Sequence, residues 1–150
     1  MTDFEAIHEI TQLKYRYLRA FDTKDWELFR SCFAEDATGA YGGLDFDTLD
    51  DLMAYMHKNV RPGMHTMHTV HHPEIEVDGD TATGTWYLTD KVMIPKFKFN
   101  LEGTALYADR YRRTEDGWRI AHTGYKRIWE ASWNTDEVPS WKVKGMADQA

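Results

Sequence analysis

The hydrophobic period of this chain changes once, near residue 64. Before that point apolar side chains recur three and four residues apart, the spacing of an amphipathic helix. Beyond it apolar and polar side chains alternate, the pattern of a strand with one buried face. Helices gathered in the first half and strands in the second predict an α+β fold, in which long antiparallel strands curl around the helices.

The first half predicts three helices and one short strand. The polar run Asp22-Thr23-Lys24-Asp25 ends the first helix and can cap the second, and residues 48–51 resemble a capping box for the third. In chain order the elements are a helix over 4–21, a helix with Trp26, Phe29 and Phe33 on one face, a strand over 37–41, and a helix from Thr48 to the Arg-Pro-Gly at 61–63.

The second half predicts four strands joined by tight turns. Gly79 and Gly117 mark two of these turns, and Pro95 ends the second strand because proline cannot donate to a central ladder. No repeat or linker interrupts the chain, so residues 1–150 are interpreted as a single domain with its core at about 5–135. The predicted strands cover 66–77, 81–94, 106–113 and 118–129, and the stretch 134–150 is expected to pack as a tail on the body or on a neighbouring subunit.

Composition narrows the classes of function. The 150 residues are 42% apolar and 14% aromatic, which favours a cavity lined with rings. A net charge of −7 argues against nucleic-acid binding, which needs a basic face. No apolar window is long enough for a membrane span, the N-terminus has no signal pattern, and the single cysteine fits a reducing compartment. We therefore expect a cytoplasmic protein without nucleic-acid or membrane partners.

Four of the seven histidines lie at 65–72, within a predicted strand. Alternate strand residues share a face, so His68 and His72 should point one way while His65 and His71 point the other. This division argues against one metal site, and neither HExxH nor paired cysteine motifs are present. Imidazole is well suited to proton transfer near neutral pH, but each histidine alone could be an ordinary strand residue.

Two polar side chains near the end of the first helix are candidates to join a histidine. Tyr17 and Asp22 are about 140° apart around the helix axis, so they should flank a groove. Tyr17 could equally be a core residue, and Asp22 could be the N-cap of the next helix. The residues alone leave these alternatives open.

Two charged side chains interrupt aromatic strands. Asp90 follows Trp86-Tyr87-Leu88, and Arg127 shares its predicted face with Tyr125 and Trp129. Such charges usually face solvent, yet a face rich in large rings is an unusual one to leave wet.

Four segments resemble the SnoaL-like family of the nuclear transport factor 2 superfamily and, within it, the bacterial bile acid 7α-dehydratases. They are YLRAFD at 17–22, HTVHHPEI at 68–75, TATGTWYLTD at 81–90 and TGYKRIWE at 123–130. With the matching order of elements, the resemblance covers about residues 5–135. The segment 95–101, which should border the cavity mouth, and His72 depart from the dehydratase pattern, and both departures bear on substrate identity.

The resemblance implies a cone-shaped α+β barrel of three N-terminal helices against a curved, mostly antiparallel sheet, with a closed apolar cavity and no cofactor or metal. It implies a hydro-lyase that removes water from a 7α-hydroxy-3-oxo-4-ene steroid, as the free acid or a coenzyme A thioester. A non-catalytic binding protein and a polycyclic ketone isomerase or cyclase are the alternatives on the same cone. It also implies a homo-oligomer, a trimer before a dimer, for which exposed tryptophans at 129, 133 and 141 would suit an interface.

The resemblance assigns roles residue by residue. His68 would be the base, Asp22 would fix its tautomer, and Tyr17 would donate to the enolate oxygen, while Asp90 and Arg127 would shape and charge the pocket. The expected substrate contacts are Trp86, Leu88, Tyr125, His71 and Phe97.

Overall fold

Three helices begin at capped positions in the computed structural model, which describes residues 2–144. Helix α1 covers Asp3–Thr23, α2 Trp26–Ser31 and α3 Leu49–Asn59. Thr2, Asp25 and Thr48 are the N-caps, and each side chain accepts a hydrogen bond from a backbone N–H in the first turn, which satisfies a group that the helix itself leaves unpaired. Because Asp25 caps α2, the Asp22 carboxylate is available for other contacts.

Six strands form one curved sheet against these helices. They are β1 Phe33–Tyr41, β2 Leu44–Phe46, β3 His65–Asp78, β4 Thr81–Ile94, β5 Phe99–Thr114 and β6 Gly117–Asn134, in the order β2-β1-β6-β5-β4-β3. Neighbouring strands are antiparallel except β1 and β6, which are parallel. Within residues 2–144 the edge strands β2 and β3 do not pair with each other, so the sheet is open. The predicted α+β class is confirmed, but as an open sheet and not a closed barrel.

Several strands are longer than their sequence patterns predict. Phe33 begins β1 and does not belong to α2, and β5 begins at Phe99 and not at 106. The early part of β5, which includes Glu102 and Gly103, lacks clear alternation, but it pairs residue for residue with the second half of β4. Backbone pairing, which needs no particular side chain, extends these strands.

Bulges reverse the inward face of β3 once and that of β6 twice. At His72 and Pro73, two residues of β3 oppose Trp86 of β4, and His72 has a φ of 29°. The prediction that His68 and His72 share a face is therefore wrong: His68 is half-buried and His72 is exposed.

The two reversals in β6 lie at Ala121 and at Ile128, and Ile128 is the extra residue between Arg127 and Trp129. Continuous alternation puts Arg127 and Trp129 on one face. The bulge separates them, and Trp129 is 52% exposed while Arg127 turns towards the interior.

The core lies between the concave face of the sheet and the apolar faces of α1 and α3. Ile10, Leu13, Leu52, Leu88 and Ile120 are fully buried there. No helix among residues 2–144 is long and apolar enough to cross a membrane. After β6 the chain makes the 3₁₀ turn Thr135–Glu137. The Trp141 ring beyond this turn lies 5.6 Å, between centroids, from the ring of Trp133 in β6. The rest of the predicted tail, residues 145–150, lies outside the described residues.

Candidate active site

A cavity of about 190 Å³ lies between α1, α3 and the concave face of the sheet. Its wall carries aliphatic side chains and three groups that can hold charge, His68, Asp90 and Arg127. Five tyrosines, Tyr17, Tyr41, Tyr55, Tyr107 and Tyr125, supply much of the remaining surface. A cavity with rings for shape and a few converging polar groups is typical of a small-molecule site.

His68 and Asp22 form a hydrogen-bonded pair between β3 and the last turn of α1. His68 Nδ1 lies 2.6 Å from Asp22 Oδ1, and the His68 backbone N–H donates to Oδ2 at 2.8 Å. Thr66 Oγ1 donates to Oδ1 at 2.8 Å, and the Phe21 ring contacts the imidazole edge-on at 4.6 Å between centroids. These contacts fix both the carboxylate and the plane of the imidazole.

The hydrogen bond between His68 and Asp22 determines which imidazole nitrogen can accept a proton. Asp22 accepts from Nδ1–H, so the lone pair of the neutral ring lies on Nε2. In the part of the chain that the structure describes, Nε2 of His68 has no hydrogen-bond partner. His68 lines the cavity, whereas Asp22 lies behind it in an outer groove. This is the arrangement of a general base with a carboxylate that orients it.

Asp90 and Arg127 form a second pair on the same wall. Arg127 Nη1 and Nη2 donate to the two Asp90 oxygens at 2.5 and 2.8 Å, and Arg127 Nε lies 3.2 Å from Glu130. The hydrogen bond to Asp90 raises the pKa of Arg127. Asp90 stands directly opposite His68 on one side and Gly103 on the other.

Gly103 makes room for this second pair. A Cβ at Gly103 would lie 2.7 Å from the Trp129 carbonyl oxygen and 3.1 Å from Arg127 Nη1. A side chain here would therefore clash with the Trp129 carbonyl and crowd the guanidinium that binds Asp90. The missing side chain lets Arg127 reach across β5 to β4.

The hydroxyl groups of Tyr17 and Tyr41 are hydrogen-bonded, with their oxygen atoms 2.5 Å apart. One hydroxyl donates to the other, and Tyr107 and Thr123 lie near enough to the pair to interact with the two hydroxyls as well. Burial raises the pKa of both phenols, so both remain protonated over the physiological range. The pair can stabilise negative charge that develops on an oxygen in the cavity.

A buried ion pair lies behind the tyrosines. Lys14 Nζ is 2.7 Å from Asp109 Oδ2 and 3.4 Å from the centroid of the Tyr107 ring. Tyr111 and Thr123 also donate to Asp109. Burial lowers the pKa of Lys14, and Asp109 opposes that effect. The sequence pattern does not reveal this pair, because its two members are 95 residues apart.

The structure gathers the five catalytic residues predicted by resemblance around one cavity. Tyr17, His68, Asp90 and Arg127 line it, and Asp22 contacts it through His68. Among the expected substrate contacts, Leu88 and Tyr125 also line the cavity.

Three expected substrate contacts lie elsewhere. Trp86 is buried in the core, where its Nε1 donates to the Tyr111 hydroxyl, because it lies deeper along β4. His71 is exposed on the convex side, because it lies three positions from His68 and an odd separation in a strand puts the two side chains on opposite faces. Phe97 is 68% exposed and borders a groove at the mouth.

The sequence-based prediction misses other cavity residues. Tyr41 ends a strand whose alternation already places it inward, and this signal could have identified it. Tyr55 and Met56 lie on α3, Asn59 ends that helix, and Tyr107 follows alternation in β5. Helical spacing identifies an apolar face but does not show that part of it borders a cavity. Among residues 2–144, no group of three or more His, Cys, Asp or Glu side chains could hold a metal ion.

Comparisons with known proteins agree with this architecture. A family model described as a SnoaL-like domain matches residues 2–124. The structure of Rv3472 from Mycobacterium tuberculosis is 26% identical, with a TM-score of 0.71 over 83% of this chain and 73% of that one. Kfla4162 from Kribbella flavida is 20% identical, with a TM-score of 0.80 over 87% and 95% of the two chains. Hexachlorocyclohexane dehydrochlorinase LinA-type3 from Novosphingobium barchaimii is 15% identical, with a TM-score of 0.76 over 88% and 94%. The match over residues 2–124, together with the fold, shows that this chain belongs to the family of SnoaL-like domains.

Proposed function

We propose that this protein is a cofactor-independent lyase that removes water from a hydroxy ketone, with His68 as the general base. The observation that carries the proposal is the 2.6 Å contact between His68 Nδ1 and Asp22 Oδ1, which leaves Nε2 for a substrate in the cavity. The likeness to a dehydrochlorinase is one of fold, and that protein's name describes an elimination housed in the same architecture.

The reaction can be written for the residues present. His68 Nε2 takes a proton from a carbon acidified by the carbonyl, and Asp22 stabilises the imidazolium. The electron pair moves into an enolate, whose oxygen accepts a hydrogen bond from the pair of Tyr17 and Tyr41. The carbon–oxygen bond then breaks, and the imidazolium returns its proton to the departing hydroxide as water.

Asp90 and Arg127 position the substrate in this proposal. Their charges are held in a bidentate pair on the cavity wall, opposite His68. The tyrosine-rich wall favours a polycyclic ketone, and the resemblance to the bile acid dehydratases suggests a 7α-hydroxy-3-oxo-4-ene steroid as the first substrate to test.

The test follows the absorbance of the conjugated dienone that elimination would produce from this steroid. His68→Ala and Asp22→Ala should each reduce turnover by roughly 10²-fold or more with the circular dichroism spectrum unchanged. His71→Ala is the matched control, because it removes an exposed imidazole from the convex side of the same strand. Retention of most activity by His68→Ala would contradict the mechanism.

Other outcomes select the alternatives. Thermal stabilisation by the steroid without a change in absorbance would indicate a binding protein. Formation of a rearranged ketone without loss of water would indicate an isomerase or cyclase, which needs the same base but no protonation of a leaving group.

A further inference from the structure

A groove of about 380 Å³ opens beside the cavity at the C-terminal end of α3. We call it the mouth groove, and it is bounded by residues 58–64 on one side and 94–97 on the other. Asn59 and Met64 line both the groove and the cavity, so the two spaces are neighbours along one wall. The cavity volume of about 190 Å³ lies below the roughly 300–1,000 Å³ that is typical of pockets for drug-sized ligands. A polycyclic substrate must therefore extend beyond the cavity.

Three cationic side chains line the mouth groove: Lys58, Arg61 and Lys96. The Arg61 Nε–H donates to the Lys58 carbonyl oxygen at 2.8 Å, which holds the guanidinium at the end of α3. Within residues 2–144 none of the three forms an ion pair with a carboxylate, and no Asp or Glu lines the groove. This is unusual for a chain with a net charge of −7.

Neighbouring lysines behave differently. Lys91 lies 3.3 Å from Glu102, and Lys98 lies 2.7 Å from Asp136. These two lysines, one on β4 and one in the turn before β5, are thus neutralised by partners, whereas the cations of the mouth groove have no carboxylate partner among the described residues. Positive charge concentrated beside a cavity attracts anionic ligands.

The groove also has apolar surface. Ile94 and Met64 contribute to its lining, and the Phe97 ring, which is 68% exposed, stands at its rim. A surface that joins apolar contacts to cations fits a ligand whose apolar body ends in an anion.

We propose that the mouth groove binds an anionic group, a carboxylate or a phosphate, at the end of the substrate that is remote from the reacting carbon. The identity of the substrate rests on the proposed lyase function, whereas anion recognition by the groove rests on its own charge and position. Lys58, Arg61 and Lys96 would then determine specificity without taking part in proton transfer.

Two fluorescent dyes of similar apolar body test the proposal. 8-Anilinonaphthalene-1-sulfonate is anionic, and N-phenyl-1-naphthylamine is neutral. The triple variant Lys58→Gln, Arg61→Gln, Lys96→Gln should bind the anionic dye about tenfold more weakly and the neutral dye with less than about a twofold change. The control triple variant Lys91→Gln, Arg110→Gln, Lys126→Gln removes equal charge from exposed positions outside the groove and should retain the affinity for both dyes.

Displacement of the anionic dye distinguishes the two anions. 1-Naphthoate and 1-naphthyl phosphate carry the two groups on one ring system, and 1-naphthalenemethanol is their neutral counterpart. Stronger displacement by either anion than by the alcohol supports the proposal and identifies the preferred group. Equal displacement by all three, or equal loss of dye affinity in both triple variants, would overturn it.

The dye experiments and the turnover assay test the two proposals independently. Discrimination between the dyes in a protein that does not turn over the steroid would keep the mouth groove and reject the proposed reaction. Turnover that depends on His68, without any discrimination between the dyes, would keep the proposed reaction and reject anion binding in the mouth groove.

Discussion

At the scale of single residues, three polar side chains of the site are each held by a hydrogen bond to one other side chain. His68 is oriented by Asp22, Asp90 is held by Arg127, and Tyr17 by a second tyrosine. Of these partners, Tyr41 is the one that the sequence-based prediction does not include. Its hydroxyl is hydrogen-bonded to that of Tyr17, so the two phenols form one hydrogen-bonding unit.

This unit predicts similar effects of its two hydroxyls on catalysis. Tyr17→Phe and Tyr41→Phe should each lower kcat by roughly 10²-fold, and the double variant should lose little more, because either change disrupts the same donor. Tyr55→Phe is the matched control, since Tyr55 lines the same cavity but is not part of the pair. If Tyr41→Phe turned over substrate like the unsubstituted protein, Tyr41 would be a wall residue only.

At the scale of elements, the bulges in β3 and β6 decide which side chains reach the cavity. The burial pattern shows the bulge in β3: half-buried positions fall on even numbers from Thr66 to Val70 and on odd numbers at Ile75 and Val77. A continuous strand cannot satisfy both patterns. The extra residue at His72-Pro73 reconciles them, so that His68 faces the cavity and Ile75 faces the core.

Deletion of Pro73 tests this role of the bulge. With one residue fewer, the end of β3 would turn Ile75 and Val77 outwards and two glutamates inwards, which we expect to lower the free energy of unfolding by roughly 3 kcal/mol or more. Pro73→Ala keeps the number of residues and should change the free energy of unfolding by about 1 kcal/mol or less. Urea unfolding followed by circular dichroism measures both. A deletion variant with the same urea midpoint as the unsubstituted protein would show that the bulge does not set the register.

At the scale of the whole molecule, the helices and sheet bury a large group of hydroxyls and one thiol. Burial raises the pKa of Tyr17, Tyr41, Tyr107 and Tyr111, and raises that of Cys32 to about 11. Each group therefore keeps its proton in the folded state at a pH where the unfolded chain has already released it. Lys14 and Lys24, whose pKa values burial lowers, act in the opposite sense but are fewer than the raised groups.

These shifts predict loss of stability in alkali. Their contribution is complete below the ordinary pKa of 9.0 for the thiol and 10.0 for the phenols, and it decreases as pH rises through those values towards the raised pKa values. The urea midpoint should fall between about pH 9 and about pH 11, and tyrosinate absorbance should rise together with the loss of helical circular dichroism. Cys32→Ala should remove the earliest part of the decrease. Full tyrosinate absorbance at about pH 10 in a protein that is still folded would contradict the prediction.

Local hydrophobic periods, together with capping or turn residues such as Thr48, Pro95 and Gly117, are enough to predict the α+β class, the three helices and the long strands. With the family resemblance, the sequence also identified His68, Asp22, Tyr17, Asp90 and Arg127 as the residues to examine.

Contacts between distant elements determine which of these side chains meet and which neighbours they share. The bulges at Pro73 and Ile128, the space at Gly103, and the contacts of Tyr41 and Lys14 depend on strand register and on residues far apart in the chain. The physical reason is that a local pattern records whether a side chain is buried, whereas its partner is set by how the strands pair and how the helices pack across them.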